Sequence, residues 1–207
     1  MSWQSDWKKW THTTYGLLQA VHLAKRVTFG NHSKFEDTIG EAQVWSPSAL
    51  GFVSKASQRP LKRGSIHIRS EEAENIIHSL PSQTLEILLI GTVSVTEVLL
   101  ADLLVTRRPV TKRPDTFSNA LEQLEKELRL RSSLARCSWA IDAAHEMRIL
   151  RNCLVHAAAN WSPTAVAEYK RRFHVSPPTG MRITISIDDL FRYRRAARTV
   201  LNAATTL

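Results

Sequence analysis

Arg151 and His156 stand in one short run, RNCLVH, and their side chains suit two halves of one reaction. An imidazole titrates near neutrality and can give or take a proton. A guanidinium presents a planar fork that grips phosphate oxygens and stabilises charge building on them. Breaking an RNA strand without a metal needs both: proton transfer at the 2′-hydroxyl and the leaving oxygen, and positive charge on the phosphate. Spacing alone does not separate a site from an incidental pair, since about one Arg-x4-His pair is expected by chance in a chain of this composition.

Helical geometry sharpens the pattern. At about 100° per residue, His145, Arg148, Asn152, His156 and Ala159 fall within a narrow arc, and Arg151 lies about 100° from Asn152. Polar residues then form one face of a helix expected over Leu134–Asn160, with Met147, Leu150 and Leu154 directed inward. Cys153 precedes His156 by three residues, but no third group is there to orient a base, so an apolar-facing thiol is the simpler reading. The histidines and two cysteines, Cys137 and Cys153, show no metal-ligand spacing. No phosphate-binding Gly-x4-Gly-Lys loop and no Gly-x-Gly-x-x-Gly occurs, so neither metal nor cofactor is expected.

The elements that must position this run are mostly helices. Trp3, Trp7, Trp10, Thr14, Leu17, Val21 and Ala24 make a stripe predicting a helix over Trp3–Lys25. Its tryptophans suit packing, and stacking on single-stranded bases is the alternative. Ser70 before Glu71 and Glu72 predicts a helix stopping near Pro81. Ser82 can cap the next helix, to about Thr106, which is apolar on most sides and reads as the central buried helix. Asp115 or Ser118 can start a helix striped by Leu121, Leu124 and Leu128 that stops or bends at Ser132-Ser133. Ser162-Pro163 is a cap followed by proline at the first helical position, for a helix to about Phe173. Ile183, Ile185 and Ile187 alternate, which predicts a short strand or extended segment, and Asp188 can cap a final helix to about Ala204. The expected fold is all-α: an antiparallel helical bundle with one short strand or extended segment near the C-terminus. Residues 1–81 read as an N-terminal helical region with a basic loop and 82–207 as the helical core, together one continuous domain.

The formal net charge of the chain is +9, which attracts polyanions, nucleic acid first among them. The charge gathers in Lys55–Arg69, which holds Lys62 and Arg63 and no acidic residue, and in the turn from Arg107 and Arg108 to Pro114. Each is either a phosphate-contacting arm or a solvated loop. Two cysteines make no disulfide framework, the N-terminus has no apolar signal core, and Glu86, Glu97 and Asp102 interrupt the longest apolar stretch. A cytoplasmic protein with no membrane span is expected.

RNCLVH on a long helix resembles the RNxxxH signature of the HEPN superfamily. Thr92–Leu104, TVSVTEVLLADLL, resembles that family's earlier core helix, and the isoleucine-alternating segment with its following helix resembles RiboL-PSP-type HEPN sequences. The likeness covers roughly residues 82–207. It implies a homodimer in which two such helices form one cleft, and endonucleolytic cleavage of RNA, often by toxins or in phage defence. Other members keep the fold and only bind RNA or protein. By the same resemblance Arg151 holds the phosphate, Asn152 orients the site and His156 transfers protons; Glu97 either supports them or is a capped or solvated helix glutamate. Arg148, on the same face, joins Lys62, Arg63, Arg107 and Arg108 as expected RNA contacts. Where some members carry a tyrosine modified by a partner antitoxin, this chain has Ala158, which sets that modification in doubt; an antitoxin or regulatory protein is otherwise an expected partner.

Overall fold

A computed structural model describes residues 2–29, 70–107 and 113–207. The fold is all-α. The helices are α1 (Trp3–Phe29), α2 (Ser70–Arg107), α3 (Phe117–Leu130), α4 (Ser138–His156), α5 (Pro163–Phe173) and α6 (Ile187–Thr205), with a 3-10 turn over Leu134–Arg136. The chain divides into two compact units, Gly16–Pro81 and a larger one of Met1–Tyr15 with Ser82–Leu207. The smaller unit contributes residues 16–29 of α1 and 70–81 of α2. The larger unit holds RNCLVH.

Helix α4 is the axis of the larger unit and packs most extensively on α6, then on α3 and α5. It buries Ala140, Ala144, Met147, Ile149, Leu150 and Cys153, while α6 buries Ala196, Ala197, Val200 and Leu201. Alanines on both helices keep side-chain bulk low and let such neighbours approach closely. Helix α3 presents Leu121, Leu124 and Leu128 to the same core. The first turn of α1 adds Trp3 and Trp7, and Thr14 is fully buried. For this part of the tryptophan stripe packing is what the structure shows.

Trp10 is held tightly. Its Nε1 donates to Thr92 Oγ1 at 3.2 Å, and the indole lies where a Cβ at Gly91 would fall. Glycine is therefore the only residue that fits at position 91 without displacing the ring. Gly91→Ala is expected to destabilise the protein by about 1–3 kcal/mol, the usual scale for overpacking, read as a lower urea midpoint. An unchanged midpoint would mean that the indole gives way freely.

Several boundaries differ from the sequence-based expectations. Helix α2 runs through Pro81 rather than stopping there; a proline removes one backbone donor and strains one turn, and a helix with strong formers after it can continue. The residues 81–107 are long and apolar enough to cross a membrane, but half of the most apolar window is buried in the fold, as a core helix requires. Thr116, not Asp115 or Ser118, caps α3 by accepting from the Asn119 N–H. Ser186, not Asp188, caps α6, in a reciprocal capping box with Asp189. Consequently Ile187 becomes the first residue of α6 and is exposed, while Ile183 and Ile185 are buried. Among the described residues the isoleucine segment forms no strand, only one antiparallel bridge between Asn160 and Arg182. Ser162 with Pro163 caps α5 as expected, and His174 closes it in the left-handed region at φ 58°.

Candidate functional site

RNCLVH forms the last turns of α4, which is shorter at both ends than expected: it starts at Ser138 and ends at His156. The turn after His156 sets that end. Ala158 and Ala159 both adopt left-handed backbone, φ 49° and 63°, which strains any residue with a Cβ. The Ala157 and Ala159 N–H groups both donate to Cys153 O, closing the helix. Beyond them, Ile183 N–H donates to Ala159 O at 2.7 Å, Trp161 N–H to Met181 O at 2.9 Å and Gly180 N–H to Trp161 O at 2.8 Å. The turn is thus clamped to the extended segment, and two strained alanines persist because the surroundings dictate them.

Within the run, Cys153 is buried and burial pushes its thiol pKa up, so it is core, not nucleophile. Leu154 packs partly against the core. Val155 and His156 are exposed, and Arg151 and Asn152 are half-buried. Arg151 Nη1 donates to Asn152 Oδ1 at 3.1 Å, which fixes the guanidinium beside the amide. Its Nε is buried without a partner. Asn152 and His156 share a helix face, whereas Arg151 and His156 differ by about 140° around the axis. Glu97 is half-buried on α2, and no hydrogen bond or ion pair among the described residues joins it to these three.

The rest of the polar face does something different. His145 is buried, 3% exposed, in a groove of about 730 Å³ among α3, α4 and α5. Burial, together with Arg172 and Arg148, drives its pKa down to about 4, against an opposing pull from Glu125. Glu125 Oε2 stands 3.9 Å away, too far for a hydrogen bond, and the His145 Nε2 has no partner; a neutral imidazole fits this geometry. Burial raises the Glu125 pKa, but the Arg129 hydrogen bond and the charges of Arg172 and Arg129 hold it below its ordinary value. Arg172 bridges Glu125 at 3.4 Å and Asp142 at 2.9 Å.

Arg148, expected as an RNA contact, is instead engaged by Glu168 of α5 with its side chain only 13% exposed. A carboxylate already neutralises it, so it is a tie between α4 and α5. A second tie lies nearby: Tyr169 donates to Glu146 Oε1 at 3.0 Å, and Arg192 of α6 pairs with the same carboxylate at 2.8 Å. Burial and Glu146 push the Tyr169 pKa up to about 12. Arg107 ends α2 and is exposed, while Lys62, Arg63, Arg108 and the basic stretch 55–69 lie outside the described residues. No group of three His, Cys, Asp or Glu side chains gathers as metal ligands among the described residues.

The helical spacing of the chain places His145 on the polar face but supplies no partner for it. Glu125, Arg172 and Glu168 come from other helices, and only their packing brings them there. Comparison with family models, with curated proteins and with solved structures gave no match.

Proposed function

We propose that this chain is a metal-independent endoribonuclease of the HEPN type, acting through Arg151, Asn152 and His156 where two copies meet, in the role of a cytoplasmic toxin or phage-defence effector. The observation that carries the reading is RNCLVH on the final turns of α4, with His156 exposed and Arg151 held beside Asn152. The helical angle favours a dimer: Arg151 and His156 diverge on one helix, and a two-fold neighbour brings a second copy of each to the same cleft.

In such a cleft one His156 imidazole accepts the 2′-hydroxyl proton as that oxygen attacks phosphorus. The bond from phosphorus to the 5′-oxygen breaks, and the second copy's protonated imidazole donates to the leaving oxygen. Arg151 holds the non-bridging oxygens as their charge grows. The products are a 2′,3′-cyclic phosphate and a 5′-hydroxyl.

Incubation of the purified chain with mixed RNA in EDTA tests this. Cleavage is expected to persist, to leave 2′,3′-cyclic or 3′-phosphate ends and to spare DNA, and the protein is expected to sediment as a dimer at tens of micromolar, a concentration typical of weak complexes. Activity that requires a divalent ion and leaves 5′-phosphates would place the chemistry on other residues. A second reading, a non-catalytic module binding RNA or protein, is favoured by one feature: Arg151 already spends one donor on Asn152. Folded protein that binds RNA and never cuts it would establish that reading instead.

A further inference from the structure

A groove of about 620 Å³ runs between the first turns of α1 and the exposed face of α6. It shares no residue with Arg151, Asn152 or His156 and does not rest on the cleavage reading. Its size falls in the range of small-ligand sites, roughly 300–1,000 Å³. Four aromatic side chains line it, Trp3, Trp7, Tyr15 and Phe191, together with four cations, Lys8, Arg194, Arg195 and Arg198, and no carboxylate.

Among the described residues no carboxylate compensates that charge. None of the four cations forms an ion pair among the described residues, although carboxylates neutralise Arg148, Arg172 and Arg192 elsewhere in this unit. Arg194 is 8% exposed, its Nε is buried without a partner, and its guanidinium sits 4.8 Å over the Tyr15 ring. A buried cation that no described carboxylate faces is costly to desolvate, and an anion relieves that cost. The Trp3 Nε1 is likewise buried and unpaired. Tyr15 is 47% exposed and lies 6.1 Å from Phe191, ring centre to ring centre, so ring surface is presented next to the charge.

We infer that this α1–α6 groove binds single-stranded RNA, with bases against Tyr15 and Phe191 and phosphates along Lys8, Arg194, Arg195 and Arg198. Cations alone would suit any polyanion. Aromatic surface interleaved with them is what a base-bearing strand uses, because every base has a face to stack and every linkage a charge. Arg194 and Arg198 lie about one helical turn apart on α6, roughly 6 Å along its axis, and Lys8 lines the groove from the facing helix, an arrangement that suits successive phosphates of a strand.

A 2′-O-methyl oligouridylate twelve nucleotides long, labelled with fluorescein, tests the groove on the full chain by anisotropy. It lacks the 2′-hydroxyl nucleophile, so binding is read apart from cleavage. The chain is expected to bind it, and Arg195→Gln with Arg198→Gln is expected to weaken binding about tenfold and to flatten the log-affinity against log-salt slope by roughly 1.4, at about 0.7 per phosphate contact on a single strand. Tyr15→Ala, at an exposed position, is expected to weaken binding about fivefold or more. These three positions are exposed, so folding should survive, and circular dichroism checks it. Wild-type affinity in both folded variants overturns the assignment. So does equal displacement by polyglutamate, which would leave charge alone as the determinant, and so does displacement by uridine monophosphate at micromolar concentration, which would make the groove a mononucleotide site.

Discussion

Replacing His156 with alanine is expected to slow RNA cleavage by about 10²-fold or more, the usual scale for a general acid–base group. The residue is exposed at the end of α4 and is not part of the buried core, and alanine is the best helix former. Fold and RNA binding should therefore survive, so the loss reads chemistry. Arg151→Ala is expected to lose a similar factor, through missing charge on the phosphate in the transition state. Arg151→Lys should recover only part of it, because an ammonium cannot offer two parallel donors and cannot reproduce the fork beside Asn152. Arg151 is half-buried, so its variants need a urea midpoint beside the rate. Single-turnover cleavage of a labelled RNA in EDTA measures all three. If His156→Ala cuts as fast as the parent, the assignment of RNCLVH is wrong, whatever else the protein does to RNA.

How much of this fold is legible in the sequence depends on which forces are local. The stripes Trp3–Trp7–Trp10–Thr14 and Leu121–Leu124–Leu128 locate α1 and α3 because helical burial repeats every three or four residues. Ser162-Pro163 locates α5 because both residues act on the same helix end. Caps with several local candidates are not decidable: Asp115, Thr116 and Ser118 all have suitable side chains, and the cap falls to Thr116, whose extended backbone lets its oxygen meet the Asn119 N–H. The end of α4 falls a few residues short of its local pattern, since it is fixed by the remote bonds from residues 159–161 to 180–183. The alternation at Ile183 and Ile185 does mark buried and exposed faces, but a strand also needs partners, and one bridge does not make a ladder.

The candidate site divides in the same way. RNCLVH is contiguous, so its residues can be named from the chain alone. The fate of Arg148 cannot, because Glu168 that neutralises it lies on the next helix and one turn of either would change the pairing. The α1–α6 groove joins residues from opposite ends of the chain, such as Lys8 and Arg195, and no local pattern relates them. The tryptophan stripe hints at it, yet Trp3 and Trp7 mainly pack, and the exposed ring is Tyr15.

Stability is expected to fall by about 3 kcal/mol between pH 7 and pH 4 on account of His145 alone, at about 1.36 kcal/mol per pKa unit. In the folded chain its pKa is lowered from 6.5 to about 4, first by burial and then by Arg172 and Arg148. Above 6.5 the imidazole is neutral in both folded and unfolded chains and contributes no slope. As pH falls below 6.5 the unfolded chain takes up a proton that the folded chain refuses until about pH 4, so the unfolded state is favoured across that window. The groups around it are fixed by the fold: Glu125 on α3, Asp142 and Arg148 on α4, and Glu168 and Arg172 on α5. Glu125, whose pKa is also lowered, adds a further loss only at lower pH, as its carboxylate protonates. Urea unfolding at pH 7 and pH 4.5 separates the two. His145→Gln removes the titrating group and keeps a polar side chain, so the variant is expected to lose about 2 kcal/mol less than the parent between those pH values, even if it is weaker at pH 7. A variant that loses as much stability as the parent would show that the imidazole takes up its proton inside the folded groove, and that Arg148 and Arg172 do not hold it neutral.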